Sequence, residues 1–556
     1  MDDTTTPPMS EMKFPHASIS SPGPGIRDLA QELIEEILSY YILPSKKTNT
    51  ITRPSGIKEL SKHDLAELRL VCQGFRRAVD PYVFSEIDFD FGPEFKSGSF
   101  CKLQKAPKDL EILNQGANPF CRYAKTLRIN YVMRIDRTFP EPTAYCSSDT
   151  IFQAIISLKN VRVVHWDLRA IKFMDAVING LTFLAHFEEL HIDFAGHPFT
   201  DSTEPSSPDL IPFHRFRHLH SIAIGGVNLP ATYAAGCVEQ LHAFVNGGGE
   251  LTCLALALPV SKNSEQHLPL SVLHDIYHNV PLTSFPPLRN LRLAGYSLQL
   301  DAVTIPHLRG LTALDIAHVA DIHVSGVDSA LWRGLKTANI RLKELVVEAV
   351  TAPLLVYLSS YTGLEQLTAN GGRYTRVRLD MAAEQRAIDE AQRLSHELCC
   401  RVLPLHSGSL VAYKGINTVT TLAPSYMTYE SMRGLSACRN LQSIAFTLNA
   451  MDLYEEYRTG DLKEIISVAL ALPHVSIIQL VHSTRDTPRQ GLGYSGADRR
   501  LFREMSTYGK KLLTSLRIPE VPNGRIVEGS CTITFNGVPY IPRITKGGFV
   551  SLLPDM

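Results

Sequence analysis

The residues most able to do chemistry sit in two short stretches. His214-Arg215-Phe216-Arg217-His218-Leu219-His220 gathers three imidazoles whose spacings could be drawn as metal ligands. The stretch runs directly into an apolar strand pattern, so His218 and His220 read as solvent-facing lead-in residues, and no metal site is expected. Cys399 and Cys400 are adjacent on a predicted helix and therefore point in different directions, which suits a buried structural role better than shared chelation. Arg499-Arg500 and Lys510-Lys511 read as the solvated face of an amphipathic helix. The sequence contains no G-x-x-x-x-G-K-S/T phosphate loop, G-x-G-x-x-G dinucleotide turn, G-x-S-x-G nucleophile elbow or H-E-x-x-H zinc helix. No catalytic residue and no cofactor is assigned, and an enzyme is disfavoured.

The elements around these residues must therefore explain the chain. With 556 residues it is several times larger than one ordinary core, so it is either multidomain or built by stacking. Lys plus Arg number 55 against 56 for Asp plus Glu, which removes the basic footprint of a nucleic-acid or acidic-membrane binder. Nowhere do apolar residues run for the roughly 18 to 20 positions that span a bilayer. The 10 cysteines are scattered in apolar surroundings and there is no N-x-Ser/Thr sequon, a usage that fits a reducing cytoplasm or nucleus. Residues 1–25 are rich in Pro, Ser and Thr and read as a disordered tail without a signal-peptide core.

Residues 26–90 carry helical periodicity. Leu29, Leu33, Ile34, Ile37, Leu38 and Tyr41 mark one helical face, with Asp28 and Gln31 as its capping pair. A polar loop is expected over 44–63. The pattern resumes with Asp64 and Glu67 as a second capping pair, Leu65, Leu68, Val71, Cys72, Phe75 and Val79 as the apolar face, and Pro81 as the stop. These residues resemble the F-box: Leu29 to Leu38 looks like its first helix, and Leu65 to Val79, centred on Leu70-Val71-Cys72-Gln73-Gly74-Phe75, like its second and third. The exit Asp80-Pro81-Tyr82-Val83-Phe84 is similar to that of F-boxes in the large families of filamentous fungi. Ala30 stands where a proline usually follows the first leucine, and Phe75 where tryptophan is common. The resemblance implies docking on the Skp-type adaptor of a cullin–RING ubiquitin ligase, through Leu29, Leu33, Ile34, Ile37, Leu65, Leu68, Val71, Cys72 and Phe75.

After a connector over 91–123, an apolar-x-x-apolar-x-apolar pattern recurs twelve times over 124–524, beginning at Ala124, Leu158, Phe187, Leu219, Leu251, Leu288, Leu311, Leu342, Leu364, Leu441, Val475 and Leu513. A degenerate unit is expected around Leu410. Helix-like segments lie between, at 151–158, 171–186, 233–245, 381–399, 461–472 and 498–513. Short strands alternating with helices predict an α/β right-handed solenoid, parallel strands on its concave face and helices on its convex face. This resembles the leucine-rich-repeat fold, although the usual asparagine is mostly missing and only Asn449 stands where it is expected. Over 525–556, Asn536-Gly537 between two β-prone runs predicts a hairpin that caps the sheet.

Side chains between the apolar positions alternate onto the concave face. Arg128, Arg162, His191, Asp193, Ala223, Ala255, Arg292, Asp315 and Glu348 are assigned to it, with small residues from 223 to 317, basic residues on the N-terminal side and acidic ones on the C-terminal side. Such a trough fits a peptide or helix of an unidentified protein. The sequence thus reads as a non-catalytic substrate-recognition subunit of an SCF-type ligase, reaching cullin and RING subunits through the adaptor. The competing reading is a leucine-rich-repeat scaffold or regulatory binding protein outside any ligase. Neither nucleic acid nor membrane is an expected partner.

Overall fold

A computed structural model describes residues 31–42, 60–90, 106–116, 118–130, 147–167, 174–193, 210–225, 231–257, 272–281, 287–294, 298, 300–316, 327–369, 381–415, 427–448, 459–482, 513–514, 518–519, 531–535, 538–544 and 549–554. The tail over 1–25, Asp28, Leu29 and Ala30, most of the 44–63 loop, Asn449, the Arg499-Arg500 and Lys510-Lys511 pairs, and Asn536-Gly537 lie outside the described residues. The chain divides into two compact units, Met1–Ser85 and Glu86–Met556.

In the first unit, α1 (Gln31–Ile42), α2 (Lys62–Leu68) and α3 (Gln73–Val83) enclose a small core of Ile34, Leu38, Leu65, Phe75, Ala78, Val79 and Val83. The start of α2 differs from the expected Asp64–Glu67 pair. Ser61 is the N-cap: its hydroxyl accepts the Asp64 N–H at 3.1 Å, and the Asp64 carboxylate accepts the Ser61 N–H at 2.8 Å. The reciprocal box needs a short hydroxyl or carboxylate side chain at the cap with an acid three positions on, and Ser61 meets that one turn earlier than Asp64 does. Pro81 does not end α3. It lies in the last turn, where the ring forfeits one backbone bond, and the Phe84 N–H still donates to the Asp80 carbonyl at 3.0 Å. Asp80 also accepts a hydrogen bond from Arg69 Nε, which ties the end of α2 to α3, while the Arg69 guanidinium stacks 4.6 Å from the Phe84 ring.

The second unit is a leucine-rich-repeat-like solenoid of alternating strands and helices. Its strands are β1 (Glu86–Asp90), β2 (Thr126–Asn130), β3 (Val163–Asp167), β4 (Glu189–Asp193), β5 (Ser221–Gly225), β6 (Cys253–Ala257), β7 (Asn290–Ala294), β8 (Ala313–Asp315), β9 (Glu344–Val347), β10 (Gln366–Ala369), β11 (Ala412–Gly415), β12 (Ser443–Leu448) and β13 (Ile477–His482). Each pairs in parallel with the next, as strands joined by helical crossovers must. β1 falls inside the 26–90 span that the sequence pattern gave to the helical module. Its alternation of acid and apolar residues, Glu-Ile-Asp-Phe-Asp, buries Ile87 and Phe89 beside Leu127 and Ile129 of β2.

Register makes the core repetitive. Leu127, Val164, Leu190, Ile222, Leu254, Leu291, Leu314, Leu345 and Leu367 stack in one buried row, each at 2 % exposure or less. The residues leading into each strand also bond from repeat to repeat. Arg162 N–H donates to the Lys125 carbonyl at 2.8 Å, Glu188 to Arg162 at 2.9 Å, His220 to Glu188 at 2.8 Å, and the ladder continues to Ser476. The degenerate unit at Leu410 is a full member, as β11. Tyr357 and Tyr361 donate their hydroxyls to the Ile340 and Leu342 carbonyls at 2.8 and 3.1 Å, satisfying backbone that the shortened repeat there leaves inside.

The C-terminal end departs from the repeat. The pattern at Leu513 does not continue the parallel sheet; β14 (Ile518–Pro519) pairs antiparallel with β17 (Phe549–Pro554). The strand beside β13 is instead β15 (Thr532–Phe535), followed by β16 (Val538–Ile544), which pairs antiparallel with both β15 and β17. Phe535 opposes Val538, the register expected of a two-residue hairpin. Among the described residues no helix is long and apolar enough to cross a membrane.

Candidate functional site

Two surfaces gather the residues singled out by sequence, one on each unit. In the helical module the nine expected anchors do not share one face. Ile34, Leu65 and Phe75 are buried in the module's own core, and Leu68 and Cys72 are partly buried against it, so these five hold the module together. Leu33, Ile37 and Val71 are exposed at 49 %, 44 % and 40 %, and Leu70, which lay off the expected face, at 85 %. Leu29 lies outside the described residues. The split arises because α1 is apolar over more than one helical row: Ile34 and Leu38 turn inward, while Leu33 and Ile37, four apart, share the outer side. Gly74 lies against this inward side, where a Cβ would stand 3.2 Å from Ile34 Cδ1, close enough to make that side-chain end give way slightly. Leu70 and Val71 are exposed because the chain turns between α2 and α3, where Cys72 is extended at φ −162° and opens the next helix.

In the solenoid, the strand register fixes which residues share the open face of the sheet. Arg128, His165, His191, Ala223, Ala255, Arg292 and Asp315 occupy successive strands at one level, flanked by Asp193 and Gly225 at the next. Arg162 is not among them. It sits one position before β3, level with Lys125 and Glu188, and His165 holds the strand-centre place. The run LKNVRVVHW from Leu158 satisfies the apolar pattern in two frames; burying Trp166 at 1 % selects the later one. Glu348 follows the end of β9 and is only 7 % exposed, so it is not a surface residue as expected.

The expected polarity of basic and acidic flanks is also replaced by local pairing. Arg128 stands 3.6 Å from Glu86 and 3.9 Å from Asp88. Arg292 pairs with Asp315, its neighbour in register, at 3.1 Å. The His165 and His191 rings stack at 4.5 Å, and His191 Nε2 lies 3.6 Å from Glu189. Burial, with His191 and Arg128 beside it, lowers the His165 pKa. The result is a central floor of Ala223, Gly225, Ala255 and Ala257 between charge-compensated edges.

The histidine-rich stretch at 214–220 holds a 3₁₀ turn, Phe213–Arg215, with Phe216 and Leu219 buried. His220 Nδ1 lies 3.3 Å from the Glu250 carbonyl. A second histidine group, unmarked by sequence, stacks along the helices: His242 over His278 at 4.2 Å and 10°, with His274 Nδ1 2.6 Å from Asp301. Parallel rings cannot place one ion in both ring planes, and among the described residues no group of three or more His, Cys, Asp or Glu could hold a metal. Cys399 is fully buried with its thiol pushed up to about 12 by desolvation, whereas Cys400 is half-buried, so the two do point apart.

No protein-family model matches the chain, and no curated protein is similar to it in sequence. Among solved structures, it is similar to a chain of the Rad7 and Elc1 complex in yeast, with 14 % identity, 83 % of this chain and 92 % of that chain covered, and a TM-score of 0.37. It is also similar to TLR13 in a complex with ssRNA13, with 14 % identity, coverage of 65 % and 39 %, and a TM-score of 0.33. A third is the leucine-rich repeat-containing protein LegL7 of Legionella pneumophila, at 11 % identity, coverage of 76 % and 98 %, and a TM-score of 0.24.

Proposed function

We propose that this chain is a non-catalytic protein-interaction scaffold whose open sheet face receives a segment of a partner protein. The observation that carries this reading is the in-register level from Arg128 to Asp315: a row across seven adjacent strands whose outward side chains are small at the centre and charged at both edges. A surface of this kind contributes area and shape complementarity with little side-chain entropy to lose at its alanine floor.

A second, finer reading is favoured by the helical module. Leu33, Ile37, Leu70 and Val71 are exposed although the module has its own filled core, and exposed apolar side chains on a small helical unit fit a helix-in-groove partner. In that reading the module is an F-box, the partner is a Skp-type adaptor, and the chain is the substrate receptor of an SCF-type ubiquitin ligase. Ubiquitin transfer would then rely on proximity, with no catalytic side chain from this chain.

One copurification series separates the two. The full chain, a Leu33→Asp/Val71→Asp variant and an Ala223→Glu/Ala255→Glu variant are each mixed with a purified Skp-type adaptor, and cross-linked partners from the source cells are mapped by mass spectrometry. A stoichiometric adaptor complex lost only in the first variant supports the receptor reading. No adaptor complex, with partners cross-linked to β4–β7 and lost in the second variant, supports a scaffold outside a ligase. Partners retained by both folded variants would refute both.

A further inference from the structure

The connection from β10 to β11 is long: it contains the helix Met381–Glu397, a π turn over Leu398–Val402 and a 3₁₀ turn over Leu403–His406. The last residue of the 3₁₀ turn, His406, reaches back into the preceding repeat. The Leu364 N–H donates to His406 Nδ1 at 3.2 Å, and His406 Nε2 lies 3.2 Å from the Leu358 carbonyl. Because Nδ1 accepts, the ring proton must sit on Nε2 and donate to Leu358. The side chain is 1 % exposed and the Tyr361 ring meets it edge-on at 5.2 Å. A neutral imidazole therefore satisfies two buried backbone groups of a neighbouring repeat with opposite nitrogens.

We propose that His406 is a proton-operated latch that fastens this connection to the β10 repeat and releases it on acidification. An imidazolium carries N–H on both nitrogens, so protonation sets Nδ1–H against the Leu364 N–H and abolishes that bond. The surroundings do not favour the cation. Tyr361 faces the ring with its hydroxyl proton held by burial; Cys399, Cys438 and Tyr413, on the elements packed around the turn, are likewise held protonated. Arg401, Glu430 and Arg433 on the adjoining elements are solvent-exposed. Burial lowers the His406 pKa below its ordinary 6.5, with the Leu358 carbonyl opposing this in part. The released form thus binds the proton first: the latch is complete above about pH 6.5 and is lost as pH falls below it. The nearby bond from Ser409 Oγ to the Leu364 carbonyl at 2.8 Å does not titrate, so release opens the seam without detaching β11 outright.

Hydrogen–deuterium exchange on the full chain at about pH 7.5 and about pH 5, corrected for intrinsic rates, tests the latch. Peptides covering 358–369 and 403–410 are expected to gain about tenfold in exchange at the lower pH, while those of β5 and β6 do not. His406→Gln, which keeps an acceptor and a donor but cannot titrate, is expected to lose the pH dependence and exchange there at the same rate at both values. Equal protection of wild-type 358–369 at both values would overturn the proposal, as would simultaneous loss of protection across all repeats. The wild-type comparison decides even where His406→Gln does not fold, and a folded His406→Gln that kept the full pH-dependent gain would also refute it.

Discussion

Gly434 lies where the helix Tyr429–Leu435 crosses the π turn, and a Cβ there would stand 2.7 Å from both the Cys399 carbonyl oxygen and Cys400 Cα. Both neighbours are backbone and cannot swing aside. Cys399 beneath them is fully buried, with its thiol 3.9 Å from the Tyr413 hydroxyl, so the turn has no slack to relax into. Gly434→Ala is accordingly expected to cost about 1–3 kcal/mol of local stability. A lowered midpoint in chemical denaturation, with enhanced labelling of Cys399 by a thiol reagent, would register it; a variant as stable as wild type and equally protected would show that the crossing is looser than these distances. His406 illustrates the same scale from the polar side. It meets two buried backbone groups of the preceding repeat from the turn that follows, a role no repeat pattern in the sequence announces.

Among the elements, α2 and α3 are joined through the Arg69–Asp80 pair, whose side chains are 22 % and 13 % exposed. Asp80→Asn removes the charge but keeps the shape, leaving Arg69 with a weaker acceptor. A loss of about 1–3 kcal/mol is expected, seen as faster amide exchange over 73–85 with the solenoid unaffected. Exchange unchanged in α3 would mean that the pair contributes nothing beyond packing. Element type was largely legible in the sequence because the apolar-x-x-apolar-x-apolar rows from Phe187 to Leu364 admit one frame each, and that frame is the one buried. It failed where two frames compete, as in LKNVRVVHW from Leu158, where only the fit of Trp166 in the core decides. It failed again at Leu513, where a matching pattern yields to the stronger β alternation of Thr532 to Phe535 for the place beside β13. The division of the module's apolar residues between core and surface escaped the sequence for a related reason. Periodicity identifies apolar rows, but which row of α1 turns inward is decided by packing with Leu65, Phe75 and Val79 from the other helices, which sequence spacing does not report.

At the scale of the whole solenoid, a repeat sheet has two edges, and each repeat contacts only its neighbours, so an uncovered end is both a weak point and a template for other chains. β13 reads Ile-Ile-Gln-Leu-Val-His, with Ile477 47 % exposed even in the intact sheet. β15 covers that edge, and the chain turns back through β16 and again through β17, burying Phe535, Tyr540, Val550 and Leu552. Antiparallel strands at the end stop the repeat from propagating, since the next chain's parallel lead-in ladder finds no matching row. Deletion of residues 529–556 is therefore expected to leave the first repeats folded while exposing β13 as a flat apolar edge. Light scattering coupled to size exclusion should then show the truncated chain self-associating as its concentration rises, with the intact chain unchanged over the same range. Replacing Ile477 by Lys in the truncated chain should restore the monomer by placing a charge on the bare edge. A truncated chain that stays monomeric without that substitution would mean the reversed strands are dispensable, and that protection of the edge comes from the repeats themselves.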